Sequence, residues 1–132
     1  MRISTKIPPL RMLMKVLLQP RILKTKLLDW DLRGPIGLAA GMDKKGENVA
    51  AWYNMGFGFI EVGGFTARPQ EGNPKPRMFR SSTHRALINR MGFNNPGSEK
   101  GAETLAKVPV KARQGMPVLG NLGRSKSTSN ED

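Results

Sequence analysis

The chain has 132 residues, which is enough for one ordinary domain with a hydrophobic core. Its 22 lysines and arginines outnumber its 10 acidic residues and give a formal net charge of +12, so nucleic acid and anionic membrane surfaces are candidate partners. The absence of cysteine excludes disulfides and thiolate catalysis, and the single histidine, His84, excludes a histidine-based metal site or triad. We expect His84 to be a solvated loop residue.

Residues 1–28 are predicted to form a basic N-terminal extension, because no acidic residue precedes Asp29. Apolar residues recur there at the spacing of an amphipathic helix, namely at Leu10, Leu13, Met14, Leu17 and Leu18. Lys15 interrupts the apolar run, so such a helix would lie on a membrane surface rather than span the bilayer. Packing against the chain's own core is the alternative. No small-residue cleavage site follows the helix, so we expect the chain not to be exported.

A short hairpin and one β-α-β unit are predicted next. Alternation around Trp30 and Leu32 indicates a half-buried strand that ends at the Gly34-Pro35 turn. Asp43 or a neighbour can cap the helix of the unit, and Gly56 can end it. The predicted elements are a buried strand over 36–40, a helix over 46–55 and a central parallel strand over 57–62.

The following thirty or so residues cannot form a regular crossover helix, because they contain Pro69, Pro74 and Pro76. A long excursion at the carboxyl end of a strand is usually functional, and a disordered insertion is the alternative. Within it, residues 78–80 and 86–88 could pair as short strands. The predicted elements after it are a helix from Asn95 as N-cap to about Lys107, a polar stretch over 111–115 and a third strand over 116–122.

Three features of these loops are candidates for ligand contact. Small residues at 39–41 let the backbone approach a flat ring closely, although tight packing of strand on helix would also require them. Lys44 could bind a carboxylate at the end of the strand. Asn89 offers both a donor and an acceptor, which suits the amide edges of a pyrimidine ring. Backbone capping is the alternative role for such a loop asparagine, and we expect that role for Asn94 and Asn95.

The order and spacing of five motifs identify a family. They are Gly37-Leu-Ala-Ala-Gly-Met-Asp-Lys-Lys-Gly46, Gly56-Phe-Gly-Phe-Ile-Glu-Val-Gly63, the stretch from Arg68 to Arg80, Asn89-Arg-Met-Gly-Phe-Asn-Asn95 and Asn121-Leu-Gly-Arg-Ser-Lys126. Together they resemble the quinone-reducing, membrane-associated class of dihydroorotate dehydrogenases. The resemblance implies an α/β fold, namely the N-terminal part of a (β/α)8 TIM barrel with about three strands over 29–132, preceded by the basic helix and the hairpin. A whole barrel typically needs about 250 residues.

The resemblance also assigns roles to residues of this sequence. It places Ala39, Ala40, Gly41, Met42, Asp43, Lys44, Gly64 and Asn121 against the cofactor FMN, with Lys126 as a weaker candidate. It places Lys44, Asn89, Arg90, Met91, Gly92 and Phe93 against the substrate. One departure concerns Gly64, because many members of the family have Thr or Ser there.

The implied reaction is the oxidation of dihydroorotate to orotate in pyrimidine synthesis, with a quinone as the electron acceptor. The motif that carries the family's catalytic base does not occur in the sequence, so we expect these 132 residues to be inactive without the rest of a barrel. The implied location is the cytoplasmic side of a membrane, held peripherally, or otherwise the cytoplasm. A competing interpretation is a non-catalytic basic fragment that binds nucleic acid or anionic lipid, and one aromatic residue among the basic residues of 68–90 is few for base stacking. We therefore expect no specific nucleic acid partner.

Overall fold

The computed structural model describes residues 13, 17, 23–125 and 127–129. The predicted hairpin is present, with strand β1 (Thr25–Leu27) pairing antiparallel to β2 (Trp30–Leu32). Leu32 is buried, as the alternating pattern predicts, but Trp30, expected on the same face, is 43% exposed. The hairpin begins at Thr25, before the predicted domain boundary at residue 29.

A parallel sheet of three strands forms the centre of the fold. Its strands are β3 (Gly37–Leu38), β4 (Phe59–Phe65) and β7 (Val118–Leu122), in the order β3-β4-β7. The strand β4 is central and pairs parallel to both neighbours, as predicted. Ile60 and Val62 of β4 are fully buried, as expected for a central strand of a parallel sheet, which is covered on its faces and is therefore rich in apolar residues.

Within residues 23–125, three helices pack on the sheet, namely α1 (Val49–Asn54), α2 (Ser98–Ala106) and α3 (Val110–Gln114). Gly56 follows α1 with φ of +92°, a conformation that favours glycine, so the predicted helix end is confirmed. The hydrophobic core lies between helices and sheet and consists of Val49, Ile60, Val62, Phe65, Val108, Ala112 and Met116.

The excursion of residues 66–97 joins β4 to α2. It contains the predicted second hairpin, formed by β5 (Met78–Ser81) and β6 (Ala86–Asn89). Its two ends meet where Gln70 and Asn95 exchange backbone hydrogen bonds of 3.0 and 2.9 Å. His84 lies exposed in the turn of this hairpin, as expected.

Two local predictions were wrong. Asn95 is not the N-cap of α2, because Gly97 occupies that position with φ of +86° and the helix begins at Ser98. The polar stretch over 111–115 was predicted to connect helix and strand without a helix of its own, but most of it lies in α3, where Ala112 is buried in the core.

Only two residues of the predicted N-terminal amphipathic helix, Leu13 and Leu17, are among the described residues. Both are in helical conformation with exposed side chains, and the remainder of that prediction lies outside the described residues. In the part of the chain that the structure describes, no helix has the length and apolar character needed to cross a membrane.

Candidate functional site

The predicted ligand-binding residues gather at the carboxyl edge of the parallel sheet. The loop after β3 folds over the end of β4, because the Gly41 N–H donates to the Gly63 carbonyl at 2.8 Å and the Gly63 N–H donates to the Asp43 carbonyl at 3.2 Å. On the other side of β4, the strand register sets Gly63 opposite Asn121. This edge is where parallel α/β proteins bind ligands.

Part of this edge is bare backbone. A β-carbon built on Gly41, Gly120 or Gly123 would meet no heavy atom within 4 Å, so open space lies beside all three residues. Ala39 is exposed, and Ala40 is half-buried. A flat ring system could therefore lie directly against the main chain here, whereas bulkier side chains would fill the space.

Asp43 is buried, and its carboxylate is used within the chain. It accepts hydrogen bonds from the Glu47 N–H at 3.2 Å, the Asn48 N–H at 2.9 Å and the indole N–H of Trp52 at 3.2 Å. These bonds hold the segment before α1 and the Trp52 side chain against the loop, but the N-cap of α1 is Asn48, so Asp43 does not cap the helix as predicted. Met42, by contrast, projects into solvent with 68% of its surface exposed.

Lys44 connects the glycine-rich loop to the excursion. Its ammonium group donates to the Asn94 side-chain carbonyl at 3.1 Å. Desolvation by partial burial lowers the pKa of Lys44, and the positive charge of Arg77 lowers it further. A cation held beside a second positive charge is well placed to attract an anionic ligand.

The segment 89–93 is shaped by backbone contacts with the rest of the excursion. The Asn73 side chain donates to the Arg90 carbonyl at 2.7 Å, and the Asn73 N–H donates to the Met91 carbonyl at 3.0 Å. Gly92 has φ of +72°, and a β-carbon there would lie 2.7 Å from Asn73. Phe93 is 64% exposed, and Asn89 is exposed at the end of β6.

Asn95 ties this segment to the end of β4, in agreement with the backbone-capping role expected of it. Its side-chain oxygen accepts from the Thr66 N–H at 3.1 Å and the Gly97 N–H at 2.9 Å, and its amide nitrogen donates to the Phe93 carbonyl at 2.7 Å. Asn94, for which the same role was expected, instead accepts the hydrogen bond from Lys44.

Sequence reasoning missed Glu61. Its carboxylate accepts a hydrogen bond from the Asn121 amide at 2.8 Å and a longer one from the Ala40 N–H at 3.4 Å, so it connects β4 to β7 and to the loop after β3. The signal available in the sequence was a single charged residue inside an otherwise apolar strand. Gly64 lies in the same place, since a β-carbon on it would be 2.7 Å from the Asn121 side-chain oxygen.

The structure thus brings the predicted residues into two groups. Residues 39–41, Gly64 and Asn121 lie at the ends of the strands, and Lys44 reaches from there to Asn94, next to the segment 89–93. Lys126 lies outside the described residues. Across the part of the chain that is described, no cluster of His, Asp and Glu could hold a metal ion.

Comparison with known proteins identifies the fold and the family. The family model described as dihydroorotate dehydrogenase matches residues 22–132. The chain belongs to the dihydroorotate dehydrogenase family. A dihydroorotate dehydrogenase (quinone) of Anaeromyxobacter sp. (strain Fw109-5) is 52% identical over 113 residues, which are 86% of this chain and 31% of that protein. The dihydroorotate dehydrogenase (quinone) of Mycolicibacterium smegmatis (strain ATCC 700084 / mc(2)155) is 45% identical over 134 residues, covering 100% of this chain and 37% of its own length.

Solved structures of the dihydroorotate dehydrogenase family agree with this assignment. A crystal structure of DHODH from Eimeria tenella in complex with ferulenol has a TM-score of 0.76 and 38% identity, covering 86% of this chain and 31% of that one. The predicted fold is therefore confirmed: the α/β structure with its parallel sheet is part of a (β/α)8 barrel. The chain spans about a third of the length of the relatives that it matches.

Proposed function

We propose that this chain contributes the first part of a quinone-reducing dihydroorotate dehydrogenase, which oxidises dihydroorotate to orotate with FMN in pyrimidine synthesis. The observation that carries the proposal is the juxtaposition of open backbone at Gly41, a partly buried cation at Lys44 and an amide at Asn121 along one edge of the sheet. Family membership indicates the reaction, and these residues supply surfaces that suit its reactants.

The residues present fit a flavin. The open space beside Gly41 and Gly123 can admit a planar ring, and the Asn121 side-chain oxygen can accept a hydrogen bond from it. We infer that residues 39–41, Gly64 and Asn121 would hold the ring, with Met42 beside it. When bound, the flavin supplies the acceptor for the hydride that dihydroorotate loses and passes the electrons to a quinone.

The substrate side of the site depends on Lys44 and the segment 89–93. Dihydroorotate carries a carboxylate, and the ammonium group of Lys44 would neutralise it and orient the ring. The Asn89 amide could pair with the ring's amide edge, and Arg90, Met91, Gly92 and Phe93 would shape the wall around it. The base that removes the substrate proton is expected outside these 132 residues.

The competing nucleic acid function is less well supported. Arg77 donates to the carbonyls of Glu71 and Asn73 at 2.8 and 3.0 Å, and Arg90 donates to the Pro76 carbonyl at 3.2 and 3.3 Å. These two guanidinium groups fold the excursion instead of standing free for phosphate. Peripheral binding to a membrane on its cytoplasmic side remains part of the proposal and depends on residues 1–28.

A chimera tests the proposed function. This chain would replace the matching segment of the Mycolicibacterium smegmatis relative, because the two sequences align over the whole of this chain. We expect the purified chimera to be yellow with bound FMN and to show dihydroorotate-dependent dye reduction, whereas the 132-residue polypeptide alone should do neither. A folded but colourless chimera would refute the proposal.

Two neighbouring lysines provide a matched pair of variants. Replacing Lys44 by alanine should raise the KM for dihydroorotate roughly ten- to a hundredfold, since a hydrogen bond to a charged group contributes about 1.5–3 kcal/mol. Lys45 is exposed beside it, and Lys45→Ala should change KM less than about twofold by the same reasoning for a solvated charge. Equal effects of the two substitutions would remove Lys44 from the substrate site.

A further inference from the structure

Glu61 links β4 to β7 and to the loop after β3 through one carboxylate. It lies in the middle of β4, accepts a hydrogen bond from the side chain of Asn121 in β7 at 2.8 Å, and accepts one from the Ala40 N–H after β3 at 3.4 Å. It is half-buried and lies in the strand between the core residues Ile60 and Val62, so its side chain points to the opposite face of the sheet from theirs. The carboxylate therefore lies on the same face as the amide that we assign to the flavin.

We propose that Glu61 is a positioning residue that fixes the orientation of the Asn121 amide. An asparagine amide can present either its oxygen or its nitrogen in a given direction, with little difference in shape. A carboxylate only accepts hydrogen bonds, so the amide nitrogen of Asn121 must face Glu61. Asn121 then offers its oxygen, an acceptor, to a ligand.

The amide oriented in this way selects the ligand by its donor groups. It pairs with a ring that presents an N–H, such as the imide group of an oxidised flavin, and disfavours a ring with only acceptors at that position. Gly64 completes the arrangement, because a β-carbon there would lie 2.7 Å from the Asn121 oxygen and would displace it.

This inference rests on the proposed function, and the same chimera tests both. Two groups donate to the Glu61 carboxylate, namely the Asn121 side-chain amide and the Ala40 N–H. In Glu61→Gln the new amide oxygen can accept from only one of these groups, and the new amide nitrogen faces the other. The Asn121 amide therefore loses its single orientation. We expect the flavin Kd to rise about tenfold, equivalent to about 1.4 kcal/mol. The flavin midpoint potential should rise as well, because a nearby negative charge is removed. The control Glu99→Gln removes a charge from the exposed first turn of α2 and should change neither quantity.

A double-mutant cycle separates positioning from a general effect on the fold. In an Asn121→Ala background, Glu61→Gln should change the flavin Kd less than about twofold, because the group that it positions is gone. Gly64→Ala gives an independent perturbation, and it should weaken flavin binding without removing the negative charge of Glu61. Additive effects of Glu61→Gln and Asn121→Ala, or an unchanged Kd in Gly64→Ala, would overturn the inference. A yellow, active wild-type chimera with either of these results would leave the proposed function intact.

Discussion

Replacing Asn95 tests whether its side-chain hydrogen bonds keep the excursion of residues 66–97 closed against the sheet. It is only 8% exposed, and its side chain binds the backbone N–H groups of Thr66 and Gly97 and the carbonyl of Phe93. Asn95→Ala would leave these three backbone groups without their partners. At about 1 kcal/mol for each net hydrogen bond, the substitution should lower the free energy of opening the excursion by about 3 kcal/mol.

Hydrogen exchange measures this opening directly. The backbone amides of Gln70 and Asn95 pair across the base of the excursion and report on its opening. A loss of about 3 kcal/mol corresponds to roughly a hundredfold faster exchange at these amides when exchange follows the opening equilibrium. The measurement is made on the chimeric barrel, in which amides of the core strand β4 serve as internal references.

Two further variants complete the test. Asn89→Ala is a matched control, because the Asn89 side chain accepts a single long hydrogen bond of 3.4 Å from the Met91 N–H and is exposed. It should leave exchange at the base of the excursion nearly unchanged. Asn95→Asp keeps the acceptor for Thr66 and Gly97 but directs an oxygen at the Phe93 carbonyl, so an intermediate effect is expected. Exchange in Asn95→Ala that is less than about threefold faster would refute the reasoning, since it would place the lost free energy below about 0.7 kcal/mol.

Three other predictions follow from the site and the core. The pKa of Lys44 is lowered first by partial burial and then by the positive charge of Arg77, so Lys44 loses its charge at a lower pH than an ordinary lysine. The decline of kcat/KM for dihydroorotate at alkaline pH should therefore begin at a lower pH than an ordinary lysine would give. Arg77→Met should raise the pKa of Lys44 and move this alkaline decline to higher pH. Asp43→Ala removes the acceptor of three hydrogen bonds and should destabilise the barrel by about 3 kcal/mol or more, measured by urea unfolding. Gly101→Ala would place a β-carbon 2.7 Å from the Phe65 ring and should cost about 1–3 kcal/mol in the same assay.

Controls for these predictions lie close by. Glu47→Ala changes an exposed side chain in the same loop as Asp43, and Ala102→Ser changes an exposed position next to Gly101 in α2, so both should leave the urea midpoint nearly unchanged. If the decline of kcat/KM at alkaline pH does not move in Arg77→Met, then the ionisation of Lys44 does not control that decline. Equal destabilisation by Asp43→Ala and Glu47→Ala would show that the three hydrogen bonds contribute little.

The order of elements could be read from the sequence because it depends on local signals. Glycines and prolines bound the segments, and short apolar runs between glycines indicated parallel strands, so the β-α-β unit, both hairpins and the third strand were predicted. The failures were local too. Helix α3 has five residues and only one of them is buried, too few to show a periodic pattern. At α2 the Asn-Pro pair resembled a cap, but the buried Thr66 N–H competed for the same asparagine side chain.

The candidate residues themselves were recognisable from motifs, but their contacts were decided by the tertiary structure. Glu61 and Asn121 are 60 positions apart and meet only because β4 and β7 lie side by side in one register. Lys44 and Asn94 are 50 positions apart and meet only because the excursion folds back over the sheet edge. The sequence by itself determined which groups are available, since each residue carries its own chemistry. Their pairing required the strand register and the closure of the excursion, because hydrogen bonds between distant positions depend on distances that no local pattern encodes.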